Sequence, residues 1–265
     1  MRLQRAWSLF LVVGLLLAGC SPAADQPKTL TVFAASSLTE AFTQLGEQFE
    51  TDHANVSVVF NFAASNALAE QINQGAPADV FASANTKQMD AAIASGRIAA
   101  GSTQIFARNR LVVIFPADNP GGVTVLADLA KPGLKLVLAA AEAPVGQYAL
   151  DFLAKAVQDP GFGPSYKDDV LANVVSYEEN VRSVFTKVAL GEADAGIVYA
   201  SDIVGEGAAG VGRLDIPNAL NTLATYPLAP LSDSEQTELA QAFVTLVLSP
   251  DGQAVMEAYG FVAGQ

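Results

Sequence analysis

The chain has 265 residues, 51% of them apolar and 15% charged, so it has ample material for a large buried core and no stretch of disordered composition. A formal charge of −13 with a single histidine leaves no basic patch to neutralise a phosphate backbone, which argues against nucleic acid as a partner. The single cysteine excludes an intramolecular disulfide.

The chain opens with Arg2 and Arg5, an apolar run from Leu9 to Leu17, and then Ala18-Gly19, the order of an export signal and too short for an ordinary membrane span. Leu17-Ala18-Gly19-Cys20 resembles the lipobox that is cleaved before a lipid-modified cysteine. Residues 1–19 are thus expected to be a lipoprotein signal peptide and Cys20 the lipidated first residue of the mature chain. Residues 20–28, with Pro22 and Pro27, read as a tether. A plain signal peptide cut near Ala23 or Ala24 is the alternative. Either way the domain works outside the cytoplasm, and the lipobox places it at the periplasmic or extracellular face of a membrane.

From Leu30 the pattern alternates. Leu30–Phe33 is a strand, and Leu38, Phe42, Leu45 and Phe49 follow at spacings of four, three and four, a helical stripe. The unit repeats with a strand at Val56–Phe62 and a helix bearing Leu68 and Ile72 that closes near Gly75. It repeats again with a strand at Asp79–Ala82 and a helix over Met89–Ile93 that closes near Gly96. After the continuous apolar strand Leu111–Phe115, a second series begins with strand Leu136–Ala139 and a helix bearing Tyr148, Phe152 and Leu153. Strand Val174–Ser176, a helix bearing Val181, Val184, Phe185 and Val188, and strand Ala195–Tyr199 complete it. Proline-interrupted segments around Pro217 and over Tyr226–Pro230 lead to a helix from about Asp233 to Leu248 and a last one from Ser249-Pro250 to Gly260. Alternating strand and helix favours parallel sheets of an α/β fold. Two series joined at 111–115, with a return near 223–230, predict two lobes linked by two crossings.

Catalytic chemistry finds little support. The only histidine, His53, lies in a polar stretch expected to be solvated surface, and there is no G-x-S-x-G elbow, P-loop, dinucleotide fingerprint or cysteine–histidine cluster for zinc. Ser37 or Ser65 as the nucleophile of a secreted hydrolase is the enzyme alternative, and it has no base beside it in the sequence.

The helix starts are more informative. Ser37 stands three residues before Glu40, which matches a capping box and would make Ser37 a cap only. Yet Ala63-Ala64-Ser65, Ala143-Pro144-Val145 and Glu179-Asn180-Val181 head three further helices, each after the carboxyl end of a strand. In open α/β sheets that edge lines the ligand crevice, and helix N-termini there aim unpaired N–H groups at an anion without using any cation.

Thr31-Val32-Phe33-Ala34-Ala35-Ser36-Ser37-Leu38, Phe62-Ala63-Ala64-Ser65, Gly75-Ala76-Pro77-Ala78-Asp79-Val80-Phe81, Val181-Arg182 and Gly196-Ile197-Val198-Tyr199-Ala200-Ser201-Asp202 resemble, in order, the signature segments of the bacterial molybdate-binding proteins of the ModA type. The resemblance runs from about Lys28 to Phe261. It implies a two-lobed periplasmic-binding-protein fold of type II, each lobe a mainly parallel sheet flanked by helices. Lobe 1 would comprise 29–110 plus 226–265 and lobe 2 111–225, with the hinge near 111–115 and 223–230. It further implies a monomer that is no enzyme, carries no cofactor, and delivers molybdate or tungstate to an ABC permease.

Carried over by motif, the oxyanion contacts are the hydroxyls of Ser37, Ser65 and Tyr199 and main-chain N–H groups at Ser37, Ser65, Val145 and Val181. Asp79 and Arg182 are expected to support loops instead. Asn66, Ala67 and Val145 depart from the residues common in relatives and bear on cavity size. No member of this donor set titrates between about pH 6 and 9, so binding through it should be flat over that range. Hydrogen phosphate needs an acceptor that the set lacks. Sulfate has the charge and shape of molybdate, so a sulfate or other tetrahedral-oxyanion binder is the alternative that only the resemblance weighs against.

Overall fold

The computed structural model describes residues 26–264. Residues 1–19 and Cys20 lie outside that span. The chain forms β1 (Lys28–Ala35), α1 (Thr39–Asp52), β2 (Val56–Ala63), α2 (Ser65–Asn73), β3 (Val80–Ala82), α3 (Thr86–Ala94), β4 (Gln104–Asn109) and β5 (Leu111–Pro116). There follow β6 (Leu136–Ala139), α4 (Pro144–Ala156), α5 (Tyr166–Ala172), β7 (Val174–Glu178), α6 (Val181–Ala189), β8 (Ala195–Tyr199) and β9 (Val211–Asp215). The last elements are β10 (Ala224–Pro230), α7 (Thr237–Leu248), α8 (Pro250–Ala258) and β11 (Val262–Ala263).

Two sheets result, ordered β11-β4-β10-β3-β1-β2 and β7-β6-β8-β5-β9, each flanked by helices, the two-lobed architecture expected. Pairing is parallel from β1 to β2 and β3, and from β6 to β7 and β8. It turns antiparallel where the chain passes between lobes, with β10 against β3 and β4, and β5 against β8 and β9.

Hydrophobic burial drives each unit. Leu30 and Val32 of β1 and the α1 stripe of Phe42, Leu45 and Phe49, with Leu38 just before it, are all buried, each such side chain contributing roughly 1.5–3 kcal/mol. Phe42 and Phe49 both meet Phe243 of α7 edge-on, at centroid distances of 5.8 and 5.5 Å, which folds the C-terminal helix back onto the first one. The helices α2 and α3 stop at Gly75 and Gly96, whose φ of 92° and 79° end the helical hydrogen bonding.

Four elements escape the sequence pattern: β4, α5, β9 and β11. The proline-interrupted return over Tyr226–Pro230 is a central strand, β10, despite Pro227 and Pro230. It tolerates Pro227 because the register against β4 shifts between Tyr226 and Pro227, and the Pro227 carbonyl still accepts the Ser83 N–H at 2.9 Å. The helix α7 begins at Thr237 rather than Asp233, because the Ser234 hydroxyl is held by Asp79 Oδ1 at 2.6 Å, outside the helix. The capping box at Ser37 does not form. Residues Ser36–Leu38 make a short 3-10 turn, and α1 starts without a side-chain cap. His53 is half-buried, its Nδ1 against the Phe49 carbonyl at 2.9 Å and its ring stacked on Phe49.

The chain leaves the first sheet at Arg110 and returns over residues 216–223, and a single buried side chain ties the passages together. Asn221 accepts the Leu111 N–H through Oδ1 at 3.1 Å, and its Nδ2 donates to the carbonyls of Leu111 at 2.8 Å and Ile216 at 3.3 Å. Replacing it by alanine orphans both polar groups of Leu111. We expect Asn221→Ala to lose roughly 2–3 kcal/mol in urea unfolding with an unchanged m-value, whereas a loss below about 0.5 kcal/mol would show the clasp to be dispensable.

Candidate binding cleft

Between the sheets lies a small cleft, and every wall is a carboxyl end of a strand or the turn that follows it. Ser36 and Ser37 follow β1, Ala64 and Ser65 follow β2, Val145 opens α4 after β6, Val181 opens α6 after β7, and Tyr199 ends β8. The structure therefore brings Ser37, Ser65, Val145, Val181 and Tyr199 together from both lobes. None of the lining residues carries a charge. Asn66 is not among them.

Local geometry explains why helix starts can crowd here. Pro144 occupies the first turn of α4, where a missing N–H costs nothing. Gly146 lets that turn sit on the end of β6, since a Cβ there would lie 2.0 Å from the Ala140 carbonyl oxygen. Asn180 caps α6 by accepting the Ser183 N–H at 3.1 Å, leaving the Val181 end of the helix pointed at the cavity. With no side-chain cap on α2 or α4, their first N–H groups have no partner supplied by the helix itself.

The hydroxyls are equally constrained. Ser65 does not cap α2; its Oγ accepts the Ala84 N–H at 2.9 Å, which uses an acceptor site and leaves its proton free. The Ser37 Oγ stands 2.9 Å from the Tyr226 Oη. The Tyr199 hydroxyl is buried and finds no hydrogen-bond partner within the protein. Burial, with neighbouring Tyr226 and Tyr148, pushes the Tyr199 phenol well above its ordinary range, so it stays a donor at any working pH. The hydrogen-bond partners of the two serine hydroxyls among the described residues are Tyr226 Oη and the Ala84 N–H, neither of them a base.

Arg182 and Glu40 correct the expectation of local loop support. They form an ion pair from α6 to α1 across the cleft, one residue beyond Val181 and three beyond Ser37. Both are partly exposed, so the pair contributes under about 1 kcal/mol. Asp79 does support a loop, accepting the Thr31 N–H at 2.7 Å and the Ser234 hydroxyl. Among the described residues no group of three or more His, Cys, Asp or Glu side chains is placed to hold a metal ion.

Two residues at the site went unnoticed in the sequence: Tyr226, which meets Ser37, and Asp202. Asp202 is buried behind Tyr199, accepting the Tyr199 N–H through Oδ2 at 2.9 Å while Oδ1 has no partner. Burial raises its pKa to about 7, against the opposing pull of the Tyr199 N–H and Arg182. The cavity wall is thus free of titrating groups between pH 6 and 9, but the layer behind it is not. Between the ordinary carboxylate value and pH 7 the folded state holds a proton that the unfolded chain releases. The stability Asp202 confers is full below about pH 4 and lost as pH rises to about 7, by up to about 1.4 kcal/mol per pH unit. Asp202→Asn should flatten this slope in unfolding midpoints recorded from pH 4 to 8, and an unchanged slope would place the titration elsewhere.

A family model described as bacterial extracellular solute-binding protein matches residues 30–262. The molybdate-binding protein ModA of Mycobacterium tuberculosis is 38% identical over 261 residues, covering 96% of this chain and 95% of that one. Among solved structures, the Azotobacter vinelandii periplasmic molybdate-binding protein matches with a TM-score of 0.76 at 22% identity, over 89% of this chain and 100% of its own. The sulfate-binding protein SubI of Mycobacterium tuberculosis matches with a TM-score of 0.78 at 18% identity, over 89% and 87%. At such identities the two structures bear on the fold alone, and that fold serves proteins named for different oxyanions. With the family model matched from Leu30 to Val262 and a relative so similar along its whole length, this chain belongs to the bacterial extracellular solute-binding proteins, a family of binders rather than enzymes.

Proposed function

We propose that the protein captures molybdate or tungstate outside the cytoplasm and delivers it to an ABC permease in the membrane, working as a monomer. One observation carries the reading. An uncharged cavity in an acidic protein gathers Ser37, Ser65 and Tyr199 hydroxyls and the N-terminal ends of α2, α4 and α6 around one point. Such a set holds a fully deprotonated tetrahedral dianion through charge-assisted bonds and offers no acceptor to a protonated one. The 38% identity to a protein named for molybdate supports the choice among oxyanions. Sulfate, with shorter bonds to oxygen, spans the same fixed donors less well, and stretched hydrogen bonds lose much of their strength.

In this reading lobe 1 (29–110 plus 226–265) and lobe 2 (111–225) close on the ligand by bending near 111–115 and 223–230. Cys20 carries the lipid that holds the domain at the membrane, supported by Leu17-Ala18-Gly19 ahead of it.

Titration calorimetry tests the ligand. Molybdate and tungstate should bind far more tightly than sulfate, and Ser37→Ala, Ser65→Ala and Tyr199→Phe should each lose roughly 1.5–3 kcal/mol, about ten- to two-hundredfold in affinity. His53→Ala should change nothing. Equal or tighter sulfate binding would overturn the ligand assignment, and parental affinity in the Ser37 and Tyr199 variants would overturn the site. Mass spectrometry of the mature N-terminus tests the anchor: an acylated Cys20 is expected, and an unmodified N-terminus beyond Cys20 would refute it.

A further inference from the structure

Resting on the reading that this cavity binds an oxyanion, we propose that Tyr226 is a positioning residue that fixes the Ser37 hydroxyl as a hydrogen-bond donor to the ligand. The two oxygens are 2.9 Å apart and both residues are buried, yet distance alone leaves the direction of the bond open. The direction matters. If Ser37 donated to Tyr226, it would turn a lone pair toward the anion and repel it.

Burial sets the polarity. The Tyr226 hydroxyl is fully buried and Ser37 Oγ is its one hydrogen-bond partner among the described residues, so its proton has no other acceptor. Tyr226 therefore spends its proton on Ser37, whereas Ser37, at the cavity wall, has another direction in which to donate. With its acceptor site filled, Ser37 has one place left for its proton, the cavity. Ser65 reaches the same state by a shorter route, through the Ala84 N–H. This relay from Tyr226 through Ser37 makes the site a donor to dianions and a poor host for a protonated anion.

A double-mutant cycle by calorimetry separates this role from packing, since the Tyr226 ring also meets Phe106, Tyr199 and Phe261 edge-on. Tyr226→Phe keeps the ring and removes the hydroxyl. Molybdate affinity should fall about tenfold in the otherwise unaltered protein and by less than about twofold when Ser37→Ala is already present, because the relay then has nothing to orient. The ratio of molybdate to phosphate affinity should also fall in Tyr226→Phe, since Ser37 regains the freedom to accept a proton from hydrogen phosphate. Equal losses in both backgrounds, or full affinity in Tyr226→Phe where Ser37→Ala binds weakly, would overturn the relay and leave the proposed function standing. Absence of molybdate binding by the unaltered protein would overturn the function itself and the relay with it.

Discussion

A doubly charged anion taken out of water must be met by opposite charge, and this cleft has none to offer from side chains. The lining is neutral and the protein as a whole carries −13. What remains is the backbone. Each helix N-terminus is equivalent to about half a positive elementary charge that falls off within one turn. Three of them converging on one point approach the charge of a dianion, but only if each first turn is brought to the point itself. That requirement explains the placement of the cleft at the carboxyl ends of β1, β2, β6, β7 and β8. It also explains Gly146, where any side chain would push α4 off the strand end and its N–H groups out of range.

The three hydroxyls add direction to this diffuse positive field. Ser65 accepts the Ala84 N–H, Ser37 is held against the Tyr226 hydroxyl, and Tyr199 is buried with its oxygen unpaired inside the protein. Leaving a buried hydroxyl unpaired costs about 1–3 kcal/mol, so a ligand oxygen is the acceptor this phenol calls for. Within each lobe the donors are therefore oriented by the protein's own packing. Behind them Asp202 is neutral below about pH 7, which keeps a like charge away from the site in acidic surroundings.

Much of the fold was legible because it obeys two periods. The stripe Leu38, Phe42, Leu45, Phe49 and the runs at Leu30 and Leu111 face cores on one side or both, and their burial is what the pattern measures. The strands β4 and β9 and the short helix α5 were not legible, since the burial along them follows neither period cleanly. The segment of β10 was read as an extended return, but its prolines concealed its central place in the sheet, which depends on a bulge that only the partner strand reveals. At the site, Ser37, Ser65, Val145, Val181 and Tyr199 were named from motifs and helix starts and do share one cavity. Tyr226, 189 residues from the serine it touches, left no local trace in the sequence, nor did Asp202, whose importance lies in what it is buried behind. Periodicity reports which face is inside. It does not report which hydroxyl meets which across a cleft.

The Asn221 clasp has a mechanical meaning. Two strands crossing between bodies would, if independent, allow sliding and twisting as well as rotation. Pinning residue 221 to both polar groups of Leu111 reduces the pair to a single pivot, and the Lys155 ammonium, bonded to the Asn221 carbonyl at 2.8 Å, fastens that pivot to α4 of the second lobe. If the lobes close as proposed, the two crossings bend as one unit and Val145, Val181 and Tyr199 reach the ligand in step and leave in step. Release is then a single gating event whose rate belongs to the pivot, not to the successive rupture of individual contacts.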